Sequence, residues 1–246
     1  MYVPKHTTMA STTETGHAKN IANLNTLNNI NAAFGAKYNP GNKAYSLASM
    51  QELYTTSKGL QSDANTQRGI FEPFQNARTV EFKDAQKLAR RFRTAAKTCG
   101  AGKEFYTDVN KIVTKIIGER AEKAKPTETD PSGTSASQTS FDNMVNHWDG
   151  LAKMLAGETR YTPNETDLTV AAATAKAAAL DKTNSDVSKA APNFNNAIIA
   201  RNKALYTEDT GLCAVAQGSK DYVRQVFGFS SPEFKQVTKL VFKIVK

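Results

Sequence analysis

Two stretches decide how this chain folds: Thr107-Asp-Val-Asn-Lys-Ile-Val-Thr-Lys-Ile116 and Ser231-Pro-Glu-Phe-Lys-Gln-Val-Thr-Lys-Leu240. They lie 124 positions apart and share Thr/Ser at the start, Lys111/Lys235, and Val113-Thr114-Lys115 against Val237-Thr238-Lys239. Upstream the match continues. Leu88 and Phe105 correspond to Leu212 and Phe229 at the same offset. Further back the offset falls to 123, where Tyr38-Asn-Pro40 becomes Tyr161-Thr-Pro163 and Phe71 becomes Phe194. Ala77-Arg78 likewise becomes Ala200-Arg201. Ordered matches with a one-residue slip mark a tandem duplication. It implies that both halves fold alike and pack with pseudo-twofold symmetry.

The duplication divides the chain into an N-terminal extension (1–16), a first copy (17–125), a linker (126–138) and a second copy (139–246). The linker, Pro126-Thr-Glu-Thr-Asp-Pro-Ser-Gly-Thr-Ser-Ala-Ser-Gln138, is rich in turn formers.

Each copy reads as helical. Phe141, Met144, Val145, Trp148, Leu151 and Leu155 recur every three or four residues, with Ser140 as N-cap. Ile21, Leu24, Leu27, Ile30 and Phe34 form the matching stripe, among six Asn. A long second helix is predicted from Ser46 and Asp167 to about Val80 and Lys203, bent or broken at Pro73 and Pro192. A third is predicted from about Asp84 to Thr98 and from Glu208 to Val226, stopped at Gly100 and Gly228. A fourth is expected after the N-caps Thr107 and Ser231. Its stripes are Val109, Ile112, Val113, Ile116, Ile117 and Phe234, Val237, Leu240, Val241, Ile244. No period-two alternation calls for a sheet, although the tail from Lys243 suits an extended form. The expected class is all-α, with two tandem pseudo-symmetric bundles of about four helices.

Composition narrows the function classes. The chain has 246 residues and is 39% hydrophobic, enough for a core. No stretch approaches the run of about 18 apolar residues that a spanning helix needs. The N-terminal stretch has no apolar signal region, so the cytoplasm, a leaderless export route or a removed leader are the expected settings. Cys99 and Cys213 are too few for a disulfide framework and read as small buried residues. Histidines 6, 17 and 147 have no metal-ligand spacing, and the phosphate-loop, dinucleotide, EF-hand and nucleophile-elbow patterns are absent. No catalytic, cofactor or metal residue is assigned, and the expected class is non-enzymatic.

The net charge of +9 resides in residues 1–125, which hold 19 Lys and Arg against 10 Asp and Glu. Lys83, Lys87, Arg90, Arg91, Arg93 and Lys97 fall on an arc of about 160°, opposite Leu88, Phe92 and Cys99. Such a face is a candidate for anionic partners, nucleic acid or a lipid surface. A solvated amphipathic face is the plainer reading. The second copy carries Asp209, Asp221 and only Lys220 and Arg224 there, and no aromatics interleave with the arc. Arg78 and Arg201 are paired by the duplication. They read as structural, each satisfying carbonyls or a carboxylate between helices, with ligand binding as the alternative. Tyr38 and Tyr161 are expected to close helix–helix turns.

The stretch Met9-Ala-Ser-Thr-Thr-Glu-Thr-Gly-His-Ala-Lys-Asn20 resembles the opening of a bacterial protein family found mostly in Bacteroidota. The resemblance continues through Tyr38-Asn-Pro40, Asn76-Ala-Arg78 and Ile116-Ile-Gly-Glu-Arg-Ala121. It returns at Ala200-Arg-Asn-Lys203, Leu205-Tyr206, Thr210-Gly-Leu212, Tyr222-Val223, Phe227-Gly228 and Ser231-Pro232. It covers nearly the whole chain from residue 9; residues 1–8 read as an extension or a start-site choice. It implies tandem helical architecture and brings no activity or catalytic residue. Pro73 and Pro192 depart from the pattern. The expected function is a structural or protein-interaction protein, self-assembling through head-to-tail contacts between its duplicated bundles. The alternative is an accessory binder of nucleic acid or an anionic membrane surface.

Overall fold

A computed structural model of the protein describes residues 16–119 and 139–245. The linker at 126–138, His6 and the N-terminal extension before Gly16 lie outside the described residues. Within them all regular structure is helical, with no strand. The helices are α1 (His17–Ala33), α2 (Leu47–Thr98), α3 (Lys103–Ile117), α4 (Phe141–Ala156), α5 (Val170–Tyr206), α6 (Leu212–Phe227) and α7 (Pro232–Thr238), with short 3-10 turns at Gly35–Lys37, Lys43–Tyr45 and Thr166–Leu168. No helix among the described residues is long and apolar enough to cross a membrane.

Local chemistry explains most boundaries. Ser140 accepts a hydrogen bond from the Asn143 N–H, and Ser231 from the Phe234 N–H with Pro232 opening the helix. Ser46 caps α2 through the Ser49 N–H. Gly118 ends α3 at φ 71, a conformation that favours glycine, and an added Cβ would lie 2.9 Å from Thr139 Cγ2.

Several expectations are corrected. Thr107 is not an N-cap: α3 begins four residues earlier, and the Thr107 hydroxyl donates back to the Lys103 carbonyl at 2.8 Å. Asp167 does not start α5; it sits in a 3-10 turn, and Thr169 caps the helix through the Ala172 N–H. Leu240, Val241 and Ile244 do not continue α7, which stops at Thr238. Pro73 and Pro192 lie inside α2 and α5 without ending them. Both prolines are exposed, as are Gly69 and Ser188, whose carbonyls lose their helical donors, so water can serve those carbonyls.

The largest correction concerns the third helix of the first copy. No break separates it from the second; residues 47–98 form one helix. In the second copy α5 ends at Tyr206 and α6 starts at Leu212. The one-residue slip between the copies falls in that gap. Lys83-Asp-Ala-Gln-Lys87 continues a helix, whereas Tyr206-Thr-Glu-Asp-Thr-Gly211 is one residue longer and turns. Asp209 takes φ 64 there, and the Gly211 N–H bonds the Thr207 carbonyl at 2.8 Å.

The compact units group the chain differently from the two copies. Unit 1 comprises residues 1–69 and 193–246, and unit 2 comprises 70–192. The core of unit 1 joins Ile21, Leu24 and Leu27 of α1 and Met50 of α2 to Leu205, Leu212, Val215 and Val223 from α5 and α6. Phe234 and Val237 of α7 complete it. The core of unit 2 joins Phe82, Phe92, Val113 and Ile116 from α2 and α3 to Trp148, Leu151, Leu155 and Leu180 from α4 and α5. In each unit the first helix of one copy packs with the last helices of the other.

Tyr38 and Tyr161 are buried at matching places and close matching loops. The Tyr38 hydroxyl donates to the Tyr45 carbonyl at 2.8 Å, and Tyr161 to the Leu168 carbonyl at 2.8 Å, each seven residues along. Burial pushes the Tyr161 phenol up to about 12, so it remains a donor. Tyr161→Phe is expected to cost about 1–2 kcal/mol, because the Leu168 carbonyl loses its donor in a buried place; urea denaturation checks this.

Candidate functional site

Of the six basic residues expected on one face, Arg90 and Arg91 line a cleft. It has a volume of about 590 Å³ in unit 2, between α2 and the loop from Arg160 to Glu165. Thr94 and Thr98 continue the helical wall, and Tyr161 and Pro163 form part of the loop wall. Lys83, Lys87, Arg93 and Lys97 lie on α2 but not at this cleft.

Most of the basic arc is already engaged. Lys87 pairs with Asp84 at 2.9 Å, and Arg93 with Glu119 at 2.9 Å. Arg91 grips Asp167 through both terminal nitrogens, and this pair holds the Asp167 carboxyl below its ordinary value. The Lys97 ammonium stands 6.0 Å from the Tyr106 ring centroid. Lys83 and Arg90 make no ion pair among the described residues. A carboxylate or phosphate entering the cleft would therefore meet Arg90 directly and compete with Asp167 for Arg91. Such exposed pairs contribute little to stability, and an incoming anion can replace them at small cost.

Arg160 is the cleft residue that sequence reading missed. It binds Glu158 through Nε and Nη2 at 2.9 and 3.1 Å and reaches the Gly100 carbonyl at 3.5 Å. Its hydrogen bonds hold the Glu158 carboxyl below the usual range. The available signal was its place directly before the duplicated Tyr-x-Pro; Lys37 holds that place in the first copy. Unit 1 has a cleft of about 690 Å³ between its own Tyr-x-Pro loop and α6, lined by Asn42, Tyr45, Asp221, Tyr222 and Arg224. There one guanidinium faces a carboxylate 3.4 Å away, so the basic character belongs to unit 2.

The paired arginines meet different partners from one another. Arg78 lies 4.0 Å over the Phe141 ring and donates to the Asn184 side-chain carbonyl on α5 at 3.0 Å. Arg201 donates to Asn202 Oδ1 at 3.0 and 2.8 Å.

Burial, then the Arg201 charge, holds the His17 imidazole below its ordinary value. Burial, then Lys115, does the same to His147. As pH falls, the unfolded chain takes up these protons first. The stability contributed by the neutral rings is full above about 6.5 and is lost as pH drops through the folded values. The urea midpoint is expected to fall on acidification across that window, and His147→Gln should remove part of the fall.

Burial raises the Cys213 thiol to about 11, which disfavours the reactive thiolate. Among the described residues no group of three or more His, Cys, Asp or Glu is placed to hold a metal ion. Compared with protein-family models, curated proteins and solved structures, the chain matches none.

Proposed function

We propose that this chain is a non-enzymatic structural or interaction protein that associates with copies of itself, built from two duplicated, pseudo-symmetric helical bundles and related to the Bacteroidota family it resembles. The carrying observation is the apolar display at the end of unit 1. Phe229 is 74% exposed, Ile244 68%, Val241 53% and Val226 42%, all within the last stretch of sequence. Large exposed apolar side chains favour burial against a partner. The matching Tyr38 and Tyr161 loops support the symmetric reading. Light scattering coupled to size exclusion, over a wide concentration range, tests self-association. Higher mass with rising concentration, reduced by Phe229→Ser, is the expected result; a strict monomer throughout overturns the reading.

A second reading rests on Arg90, which lines the unit 2 cleft and makes no ion pair among the described residues. It has the cleft take an acidic partner. Binding of an anionic polymer should then weaken steeply with salt, and Arg90→Glu with Arg160→Glu should weaken it by about tenfold or more. Indifference to both changes removes this reading.

A further inference from the structure

Residues 240–245 leave α7 and run without helix past α1, held by their main chain and by Leu240 and Phe242, which pack partly buried against the unit 1 core. Lys220 Nζ donates to the Leu240 carbonyl at 3.1 Å, and Asn23 Nδ2 to the Val241 carbonyl at 2.8 Å. Asn20 takes both main-chain groups of Lys243: its Nδ2 donates to the carbonyl at 2.6 Å, and its Oδ1 accepts the N–H at 3.1 Å. The Tyr206 hydroxyl lies 3.5 Å from the Asn20 amide nitrogen and meets His17 Nδ1 at 2.6 Å. A side-chain amide thus pairs with a peptide unit as a neighbouring strand would.

The fourth helix supplies an internal control. Along α1, Asn20, Leu24, Leu27, Asn28 and Asn31 are buried, and along α4 the same spacing is buried in Met144, Trp148, Leu151, Ala152 and Leu155, a match of burial 124 places on, one more than the offset of the Tyr-x-Pro loops that follow. The second copy fills every one of those places with an apolar side chain, so packing at that face does not require an amide. A buried amide is costly unless its groups are bonded. Asn20, 1% exposed, meets that requirement mainly through Lys243.

We propose that this face of α1 is a site that reads extended main chain, and that in the assembled protein its occupant is segment 240–245 of a second copy. The proposal rests on the self-association reading above and specifies its contact. Three features favour this occupant. Site and segment come from different copies of the duplication, so the same fit is available between chains. The contacts made within one chain and between two are identical, the condition for exchange. Val241 and Ile244 of the segment face solvent in the closed form. The tethered segment competes at an effective concentration in the millimolar range, so exchange is favoured by concentrated refolding.

The test uses a chain ending at Lys239 and a labelled peptide of residues 239–246. The shortened chain should bind the peptide, and the full chain, its site occupied, should bind it about tenfold less or worse. N-methylation at Lys243 of the peptide, or Asn20→Met in the shortened chain, should each weaken binding about tenfold. Met is what the second copy buries at that place, so the variant retains its packing. After concentrated refolding, the full chain should form dimers and larger species, and the shortened chain should not. Should the shortened chain not fold, the full-length Asn20→Met, Asn23→Ala variant replaces it and should lose the exchanged species. No peptide binding, or assembly undiminished by truncation or by the double variant, overturns tail exchange and leaves self-association standing. A full chain that is monomeric even after concentrated refolding overturns both.

Discussion

Trp148→Ala should destabilise unit 2 by about 3–5 kcal/mol, the largest loss expected from any single side chain here. Trp148 is fully buried on α4, and its ring meets Phe92 edge-on at 5.7 Å between centroids. Around it pack side chains from α2, α3 and α5, so the void would open where the segments of the two copies meet. Its indole N–H is buried with no hydrogen-bond partner among the described residues. Trp148→Phe should therefore cost far less than the alanine change, since it removes an unsatisfied donor while keeping an aromatic against Phe92. The midpoints and slopes of urea unfolding, followed by far-ultraviolet circular dichroism, measure both. An alanine variant as stable as the parent would contradict the assigned core.

Gly211→Ala should cost about 3 kcal/mol or more despite adding a single carbon. A Cβ at Gly211 would lie 2.6 Å from both the Thr207 nitrogen and the Thr207 oxygen, and 3.0 Å from the Tyr206 carbonyl carbon. Those are backbone atoms of the turn itself and cannot rotate away. The turn returns α6 to α1, placing Leu212, Val215 and Val223 in the unit 1 core. Hydrogen exchange along α6 should accelerate together with the fall in the urea midpoint. A Gly211→Ala chain with native stability and protected α6 amides would show that the turn tolerates a different path.

Much of the local structure was legible. The stripes of α1 and α4, the caps Ser140 and Ser231, and the duplicated tyrosines each depend on neighbours within a few residues. The candidate site was legible only in outline. Arg90 and Arg91 stood out by charge, but Asp167, which grips Arg91, and Arg160, which lines the cleft, come from distant sequence, and helical periodicity carries no information about which carboxylate will face which guanidinium. Thr107 misled because a hydroxyl before an apolar stripe suits an N-cap or a first-turn position alike; here it bonds back to Lys103 inside a helix already begun.

Residues 17–119 and 139–245 thus spell out helices and several of their caps, because hydrogen bonds four residues apart and a 3.6-residue period are properties of contiguous chain. The pairing of those helices is not such a property. One added residue between Tyr206 and Leu212 turns the chain where 83–87 continue as helix. Burial of apolar faces is non-directional, so long-range packing was free to join α1 to α6 and α7, and α4 to α2 and α3. The same freedom put the main chain of 240–245 against the asparagines of α1, a contact between residues more than 200 places apart that no local pattern encodes.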